Sequence, residues 1–230
     1  MKKIKEKPYI IFDANYDNED KSHIPKGHIP RYDPSHRRTN LFIFSNGIPV
    51  DEEDYDLVFE WICSEEELLQ YDWVANHDNF PIVTQRVLDI LLKICPNDFQ
   101  YFPVSFNGRS QETFSNLVYF GEGVEDITFH RKGYYLINII HQVDAIDIKN
   151  CIKGTSAMNS RKLFRGAVKV VLKEGCMGEH HLARSKTPRG AQSGIRSNME
   201  LMSPFLAREL KKHNFKFLEF FHDDGTFVQF

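Results

Sequence analysis

The sequence predicts an α+β fold in which a mixed or largely antiparallel sheet is flanked by a few helices. Two stretches of similar plan carry this prediction, FPIVTQRVLDILLKICPNDFQYFPVSF at 80–106 and MELMSPFLARELKKHNFKFLEFF at 199–221. Each has the pattern of an apolar strand, a capping residue, an amphipathic helix and a second apolar strand. A third run, YYLINIIHQV at 134–143, is rich in β-branched and aromatic residues and predicts a buried central strand.

The two helices are predicted from their spacing and their ends. Thr84 precedes the first helix with a hydroxyl that can cap it, and Pro96-Asn97-Asp98 ends it. Its apolar stripe has helical spacing and consists of Val87, Leu88, Leu91, Leu92 and Cys95. Ser203-Pro204 supplies a cap and a favoured first residue for the second helix. Leu206 and Leu210 then continue the same spacing, so the two units are a repeated architectural element.

The N-terminal part of the 230-residue chain predicts short strands and an acidic surface. Strands are predicted at 9–12 and 41–45, the second turning at Asn46-Gly47. We predict a β-rich acidic subdomain over 1–78 that packs on a core α+β domain over 79–230. A single continuous domain is the alternative.

Charge is unevenly distributed behind a net charge of −3. Residues 39–85 contain no Lys or Arg but eleven acidic residues, with apolar residues such as Trp61 and Trp73 interleaved, which predicts a folded acidic face. That face could dock onto a basic partner, with its aromatic residues in the contact, or could simply be solvated. The segment 149–216 holds 15 basic and 4 acidic residues. This basic segment could bind nucleic acid, although it has few aromatic residues for base stacking. Alternatively, it could neutralise the acidic face.

The cysteines and the hydropathy indicate a cytoplasmic, soluble protein. The four cysteines, Cys63, Cys95, Cys151 and Cys176, form no CxxC pair, which favours reduced thiols over disulfides or a zinc site. The apolar run after the basic N-terminus is too short for a secretory signal, and no later run is long enough to span a membrane.

Five candidate sites each have an ordinary structural explanation that we favour. The adjacent His180-His181 point in different directions on a strand or a helix, and a metal site would need distant ligands. Residues 222–225 (HDDG) are typical of a turn. Asp144 and Asp147 follow the central strand, where they could be catalytic or could cap a turn. Ser203 is a cap without a GxSxG elbow, and residues 121–123 (GEG) lack a third glycine. We therefore predict no catalytic residue, no metal ligand and no cofactor.

The same stretches resemble a bacterial immunity-protein family of polymorphic toxin systems, a former domain of unknown function typified by a myxobacterial protein. In that family a strand–cap–helix unit comes first, a strand of the pattern yyllNvl..vDalD follows, and a second strand–helix–strand unit closes the domain. The resemblance covers residues 40–221, and Asn138, Asp144 and Asp147 match the central motif. Ser203 keeps the second cap, whereas Thr84 replaces the serine that is common at the first cap.

Two glycines of the family's last strand turn are absent, and Phe217 occupies the place of one. Members of the family are thought to protect bacteria by binding a toxin encoded next to them, and they have no known catalytic residues. The resemblance implies that 79–230 is an immunity-type domain and that the chain is not an enzyme. It implies a non-catalytic protein that binds and neutralises a cognate toxin domain in the cytoplasm.

The absence of Lys and Arg from the acidic segment 39–85 suggests that the toxin would bind there. The predicted toxin-binding residues are Asp51, Glu52, Glu53, Asp54, Asp56, Glu65, Glu66 and Glu67. Neither a membrane nor nucleic acid is expected as a partner, and a homo-oligomer stays open. One alternative is a hydrolytic enzyme that uses Asp144 and Asp147 with a histidine. The other is a nucleic-acid-binding module that uses 149–216.

Overall fold

The computed structural model describes residues 3–11, 31–32, 44, 47–51, 57–74, 81–110, 127–153, 167–186, 199–215, 220–223 and 228. Within them the predicted α+β class is confirmed. The helices whose bounds lie in the described part of the chain are α1 (Glu65–Leu68), α2 (Gln85–Ile94) and α3 (Pro204–Lys211). The strands are β1 (Tyr9–Ile11), β2 (Arg31–Tyr32), β3 (Leu57–Trp61), β4 (Trp73–Val74), β5 (Ile82–Thr84), β6 (Phe99–Arg109), β7 (Ile127–Ile139), β8 (Gln142–Val143), β9 (Ile152–Lys153), β10 (Ala167–Lys169), β11 (Leu182–Ser185), β12 (Glu200–Met202) and β13 (Phe220–Phe221).

The described strands form two large mixed sheets and a small one. The six-stranded sheet has the order β2-β3-β6-β7-β5-β4, and the five-stranded sheet has the order β13-β1-β12-β11-β8. Pairing is antiparallel except between β3 and β6 and between β8 and β11. Strands β9 and β10 form a separate antiparallel pair. Strands from both sides of residue 79 enter both large sheets, since β1 pairs with β12 and β3 pairs with β6.

Both predicted strand–helix–strand units are present, and each encloses a third strand. Strands β5 and β6 flank β7 and run antiparallel to it, so they are parallel to each other and joined through α2. Strands β12 and β13 flank β1 in the same way and are joined through α3. Each unit is therefore a split β–α–β motif. The inserted strand follows the first unit in the chain and precedes the second.

The helices of the two units share one hydrophobic core. The cluster contains Val87, Leu88 and Leu91 from α2 and Leu206, Ala207 and Leu210 from α3. It also contains residues of both large sheets, such as Ile137 of β7 and Met202 of β12. The two units thus face each other across their helices, and the apolar stripes read from the sequence line this contact.

Each large sheet has a second apolar face, as the alternation of side chains along a strand requires. Phe59, Trp61 and Phe106 lie in a cluster that also includes Leu68 of α1. On the five-stranded sheet, Ile10, Ala183 and Leu201 pack with residues of the 145–177 segment.

The two predicted helix caps have different outcomes. The hydroxyl of Ser203 accepts a hydrogen bond from the backbone N–H of Leu206 at 3.2 Å, so this cap is confirmed. The hydroxyl of Thr84 makes no cap bond and instead donates to Asp72 Oδ1 at 3.0 Å. Thr84 therefore occupies the predicted N-cap position, but the predicted side-chain bond was wrong, because the hydroxyl is oriented toward Asp72 and accepts from no N–H of the first turn.

The remaining predictions have mixed outcomes. The run 134–143 forms the second half of β7 and all of β8, and β7 is central, as predicted. The four cysteines are free in the structure; Cys95 is buried, whereas the other three are only partly buried. The predicted strand at 41–45 and its Asn46 turn residue lie largely outside the described residues, although Gly47 has a positive φ of 62°. In the described part of the chain, no helix has the length and apolar character needed to cross a membrane.

Candidate functional site

Three polar side chains from distant parts of the sequence meet where the two large sheets adjoin. Asp98 lies in the turn between α2 and β6, His141 lies between β7 and β8, and His180 precedes β11. One potential ligand atom from each residue lies within 4.8 Å of the other two. We call Asp98, His141 and His180 the Asp–His cluster.

The cluster is organised around one carboxylate oxygen. Asp98 Oδ1 is 2.9 Å from His180 Nδ1 and 3.8 Å from His141 Nε2. The two imidazole rings stack with centroids 3.8 Å apart and planes inclined by 27°. His141 Nε2 is also 2.9 Å from the Asn97 carbonyl oxygen. Since a carbonyl oxygen only accepts, this nitrogen carries the proton in the hydrogen-bonded arrangement.

Backbone donors hold the other carboxylate oxygen in place. Asp98 Oδ2 accepts from the N–H of His181 at 2.6 Å and from the N–H of Leu182 at 3.0 Å. The Asp98 side chain is 8% exposed, whereas His141 and His180 are 34% and 36% exposed. The carboxylate is therefore fixed and buried, and the two rings are reachable from solvent.

The neighbouring His181 and Ser203 do not form a hydrolytic triad. His181 Nδ1 is 2.7 Å from Ser203 Oγ, but that oxygen already caps α3. Ser203 is fully buried, so a substrate has no access to it. Asp98 contacts the backbone N–H of His181, whereas a triad needs the carboxylate on the imidazole ring. Burial lowers the pKa of His181, and this effect exceeds the opposing influence of Asp98.

Sequence patterns carry only weak signals for the Asp–His cluster. His180 is a possible ligand whose distant partners are not visible in the sequence, and Asp98 has the local pattern of a helix end. The three residues come together only through tertiary pairing. One such link is the Arg184 N–H, which donates to the His141 carbonyl at 2.7 Å and joins β11 to the segment after β7.

Part of the predicted acidic face is buried. Glu60 is 1% exposed and accepts hydrogen bonds from Arg109 Nε at 2.5 Å, Arg109 Nη2 at 3.2 Å and Asn107 Nδ2 at 3.1 Å. Asp72 is 9% exposed and accepts from Thr84. The Glu60 and Asp72 carboxylates therefore make hydrogen bonds inside the fold and are not part of an exposed acidic face.

The aromatic residues considered for the acidic face are also in the core. Trp61, Trp73 and Tyr71 are buried, so the idea that they contact a partner was wrong. Tyr55 lies outside the described residues.

Four of the eight predicted toxin-binding residues are described. Asp51 and Glu66 are exposed, and Glu67 is partly buried. Glu65 is 43% exposed and pairs with Arg131 at 3.3 Å. Glu52, Glu53, Asp54 and Asp56 lie outside the described residues.

The residues of the two alternative functions have structural partners where they are described. Asp144 pairs with Lys173 at 2.7 Å, and Asp147 accepts from Asn150 Nδ2 at 2.7 Å and from the Lys149 N–H at 3.2 Å. The Asn150 hydrogen bond is the main reason that the pKa of Asp147 is lowered. These contacts are those of a surface ion pair and a turn cap.

In the basic segment, Arg184 is buried and pairs with Glu200 at 2.7 Å. Arg184 is therefore not available to a phosphate. Much of the segment, including 154–166 and 187–198, lies outside the described residues.

Comparison of the chain with models of known protein families and with curated proteins gives no match.

Proposed function

We propose that this chain is an immunity protein that binds and neutralises a cognate bacterial toxin domain without catalysis. The observation that carries the proposal is a set of exposed acidic and aliphatic side chains on segments that are anchored to the six-stranded sheet. The resemblance noted in the sequence supports the same function.

The first of these segments, 47–51, is held by side chains of the sheet. Gln100 accepts from the Val50 N–H at 2.9 Å and donates to the Val50 carbonyl at 2.7 Å. Asn138 donates to the Ile48 carbonyl at 2.9 Å. The segment nevertheless exposes Ile48, at 52%, and Asp51. Because the backbone is fixed, little conformational entropy is lost when a partner binds these side chains.

The second segment is α1 with the residue that follows it. Ser64 caps the helix through a bond from the Glu67 N–H at 3.1 Å, and the helix dipole favours the three glutamates in its first turn. Glu66 is exposed, and Leu69 is 52% exposed. Leu68 and Val50 pack against the same core cluster, so both segments border one part of the molecule.

Exposed aliphatic side chains among carboxylates suit a protein partner with a basic surface. The aliphatic groups would be desolvated at the centre of a contact, and the acidic groups would steer association. A toxin that acts on nucleic acid would present such a basic surface.

The test uses the toxin gene that neighbours the gene for this protein, co-expressed with it, with cell survival as the readout. The double variant Asp51→Lys/Glu66→Lys should lose protection and slow association with the toxin at least about tenfold at low salt. The matched control, Asp89→Lys/Glu174→Lys, changes the same charge at two other exposed positions and should protect normally.

Equal protection by both double variants would exclude these acidic residues from the contact. Absence of any complex between the wild-type chain and the neighbouring toxin would overturn the proposed function itself. Loss of protection in Asp144→Ala/Asp147→Ala, with folding intact, would favour the hydrolytic alternative.

A further inference from the structure

We propose that Asp98, His141 and His180 form a binding site for one divalent transition-metal ion of the zinc class. This site lies outside the proposed toxin contact. Its ion would tie the first split β–α–β unit to the five-stranded sheet.

The ligand types fit this class of ion. Two imidazoles and one carboxylate are ligands that Zn²⁺, Co²⁺ and Ni²⁺ accept, whereas Mg²⁺ and Ca²⁺ prefer oxygen alone. Three protein ligands leave a fourth position for water, and the partial exposure of both rings gives an ion access from solvent.

The distances between the ligand atoms suit a tetrahedral site once the two stacked rings turn so that their nitrogen lone pairs converge on one point. Bonds of about 2.0–2.1 Å in a tetrahedral site place ligand atoms about 3.3 Å apart. The Oδ1 atom of Asp98 is 2.9 Å from His180 Nδ1 and 3.8 Å from His141 Nε2, which brackets that spacing. A neutral imidazole binds a metal through the nitrogen that lacks a proton. Each ring would therefore carry its N–H on its opposite nitrogen when the ion is bound.

The charge of Asp98 is a second, independent reason for a cation at this place. A buried carboxylate is costly unless a cation or a metal compensates it. In the described part of the chain, the ion pairs of Asp98 are with His141 and His180, which are charged only when protonated. A divalent ion held between the carboxylate and the two stacked rings would supply a compensating positive charge.

Hydrogen bonds within the protein orient the Asp98 carboxylate in the way that metal ligands are oriented. The two backbone N–H groups on Asp98 Oδ2 fix the carboxylate so that Oδ1 faces the rings. Hydrogen bonds of this kind to the far side of a ligand position it for the ion. His141 Nε2, which is 2.9 Å from the Asn97 carbonyl oxygen, would exchange that hydrogen bond for the bond to the ion.

The experiment measures metal binding by the purified full chain, without a histidine tag, in the absence of any partner. Equilibrium dialysis against Zn²⁺ with elemental analysis should give one ion per chain at pH 7.5. His141→Ala and His180→Ala should each weaken binding at least about tenfold, since outer-sphere changes alone cost 10–100-fold. Added Zn²⁺ should raise the Tm of the wild-type protein and should not raise the Tm of the double variant His141→Ala/His180→Ala.

The control variant His213→Ala/His222→Ala removes two other exposed imidazoles and should bind like wild type. Co²⁺ substitution should give visible bands without thiolate charge transfer, because the site contains no cysteine. Equal binding by wild type and His141→Ala/His180→Ala, or a thiolate band in the Co²⁺ protein, would overturn the assignment. Absence of any stoichiometric ion in wild type would overturn it as well. None of these outcomes depends on the toxin, so the proposed function is tested separately.

Discussion

Replacing Glu60 by leucine should destabilise the protein severely, although charge counting along the sequence places this residue on an acidic surface. The carboxylate accepts three hydrogen bonds from Arg109 and Asn107 and is 1% exposed. Removing one partner of a buried ion pair costs about 3–5 kcal/mol, because the other charge stays buried without it. For a chain of this size each kcal/mol lowers Tm by about 2–4 °C, so we expect a fall of about 6–20 °C.

A double-mutant cycle separates the ion pair from general packing. Glu60→Leu, Arg109→Met and the double variant are unfolded in urea under metal-free conditions, and the free energy of unfolding is measured for each. The double variant should lose at least about 2 kcal/mol less than the sum of the two single variants. Glu6→Gln, in an exposed pair with Arg208, is the control and should change stability by less than about 0.5 kcal/mol. Additive single effects would refute the claim that Glu60 and Arg109 stabilise the fold as a pair.

Three further predictions concern the helix caps, a glycine turn and the thiols. Ser203→Ala should cost about 1–3 kcal/mol in urea unfolding, because it leaves the Leu206 N–H without its acceptor; a change below about 0.5 kcal/mol would contradict the cap. Gly47→Ala should destabilise the protein by at least about 1 kcal/mol, since φ is +62° and an added Cβ would lie 2.5 Å from the Ile139 carbonyl oxygen. An unchanged Tm would show that the turn relaxes freely. Burial raises the pKa of Cys176 to about 11 and that of Cys63 to about 12, so both thiols should be almost fully protonated at pH 8. Alkylation of the native protein, followed by peptide mass analysis, should accelerate with rising pH at Cys176 before Cys63; rapid labelling of both at pH 8 would contradict this order.

The two split β–α–β units were largely predictable because their determinants are local. Apolar spacing, Ser203-Pro204 and the Pro96-Asn97-Asp98 stop act within a few residues of the helices that they define. The strand inserted between each pair was not predictable, since β1 and β7 reach their places through pairing over long sequence separations. The division of the strands into two sheets depends on the same long-range pairing.

The Asp–His cluster could not be predicted for a related reason. Asp98 has a local explanation as a helix end, and its contact with His180 spans 82 residues of sequence. Glu60 shows the limit of charge counting. The sequence LVFEW does not reveal that the polar residue of this strand meets a buried arginine on β6. Local patterns predicted the elements, whereas the side chains that gather between elements required the tertiary structure.

The place of β1 has a consequence for the order in which the protein folds on the ribosome. Ile10 pairs with Leu201 and Phe221, so β1 waits for partners that lie far downstream in the sequence and are synthesised much later. Closing so long a loop is slow, and until then β1 is an unpaired apolar segment. The first unit contains its own inserted strand, β7, and can assemble earlier. During that interval β1 exposes an apolar edge that a chaperone could bind, and β1 enters the five-stranded sheet only after β12 and β13 have been synthesised.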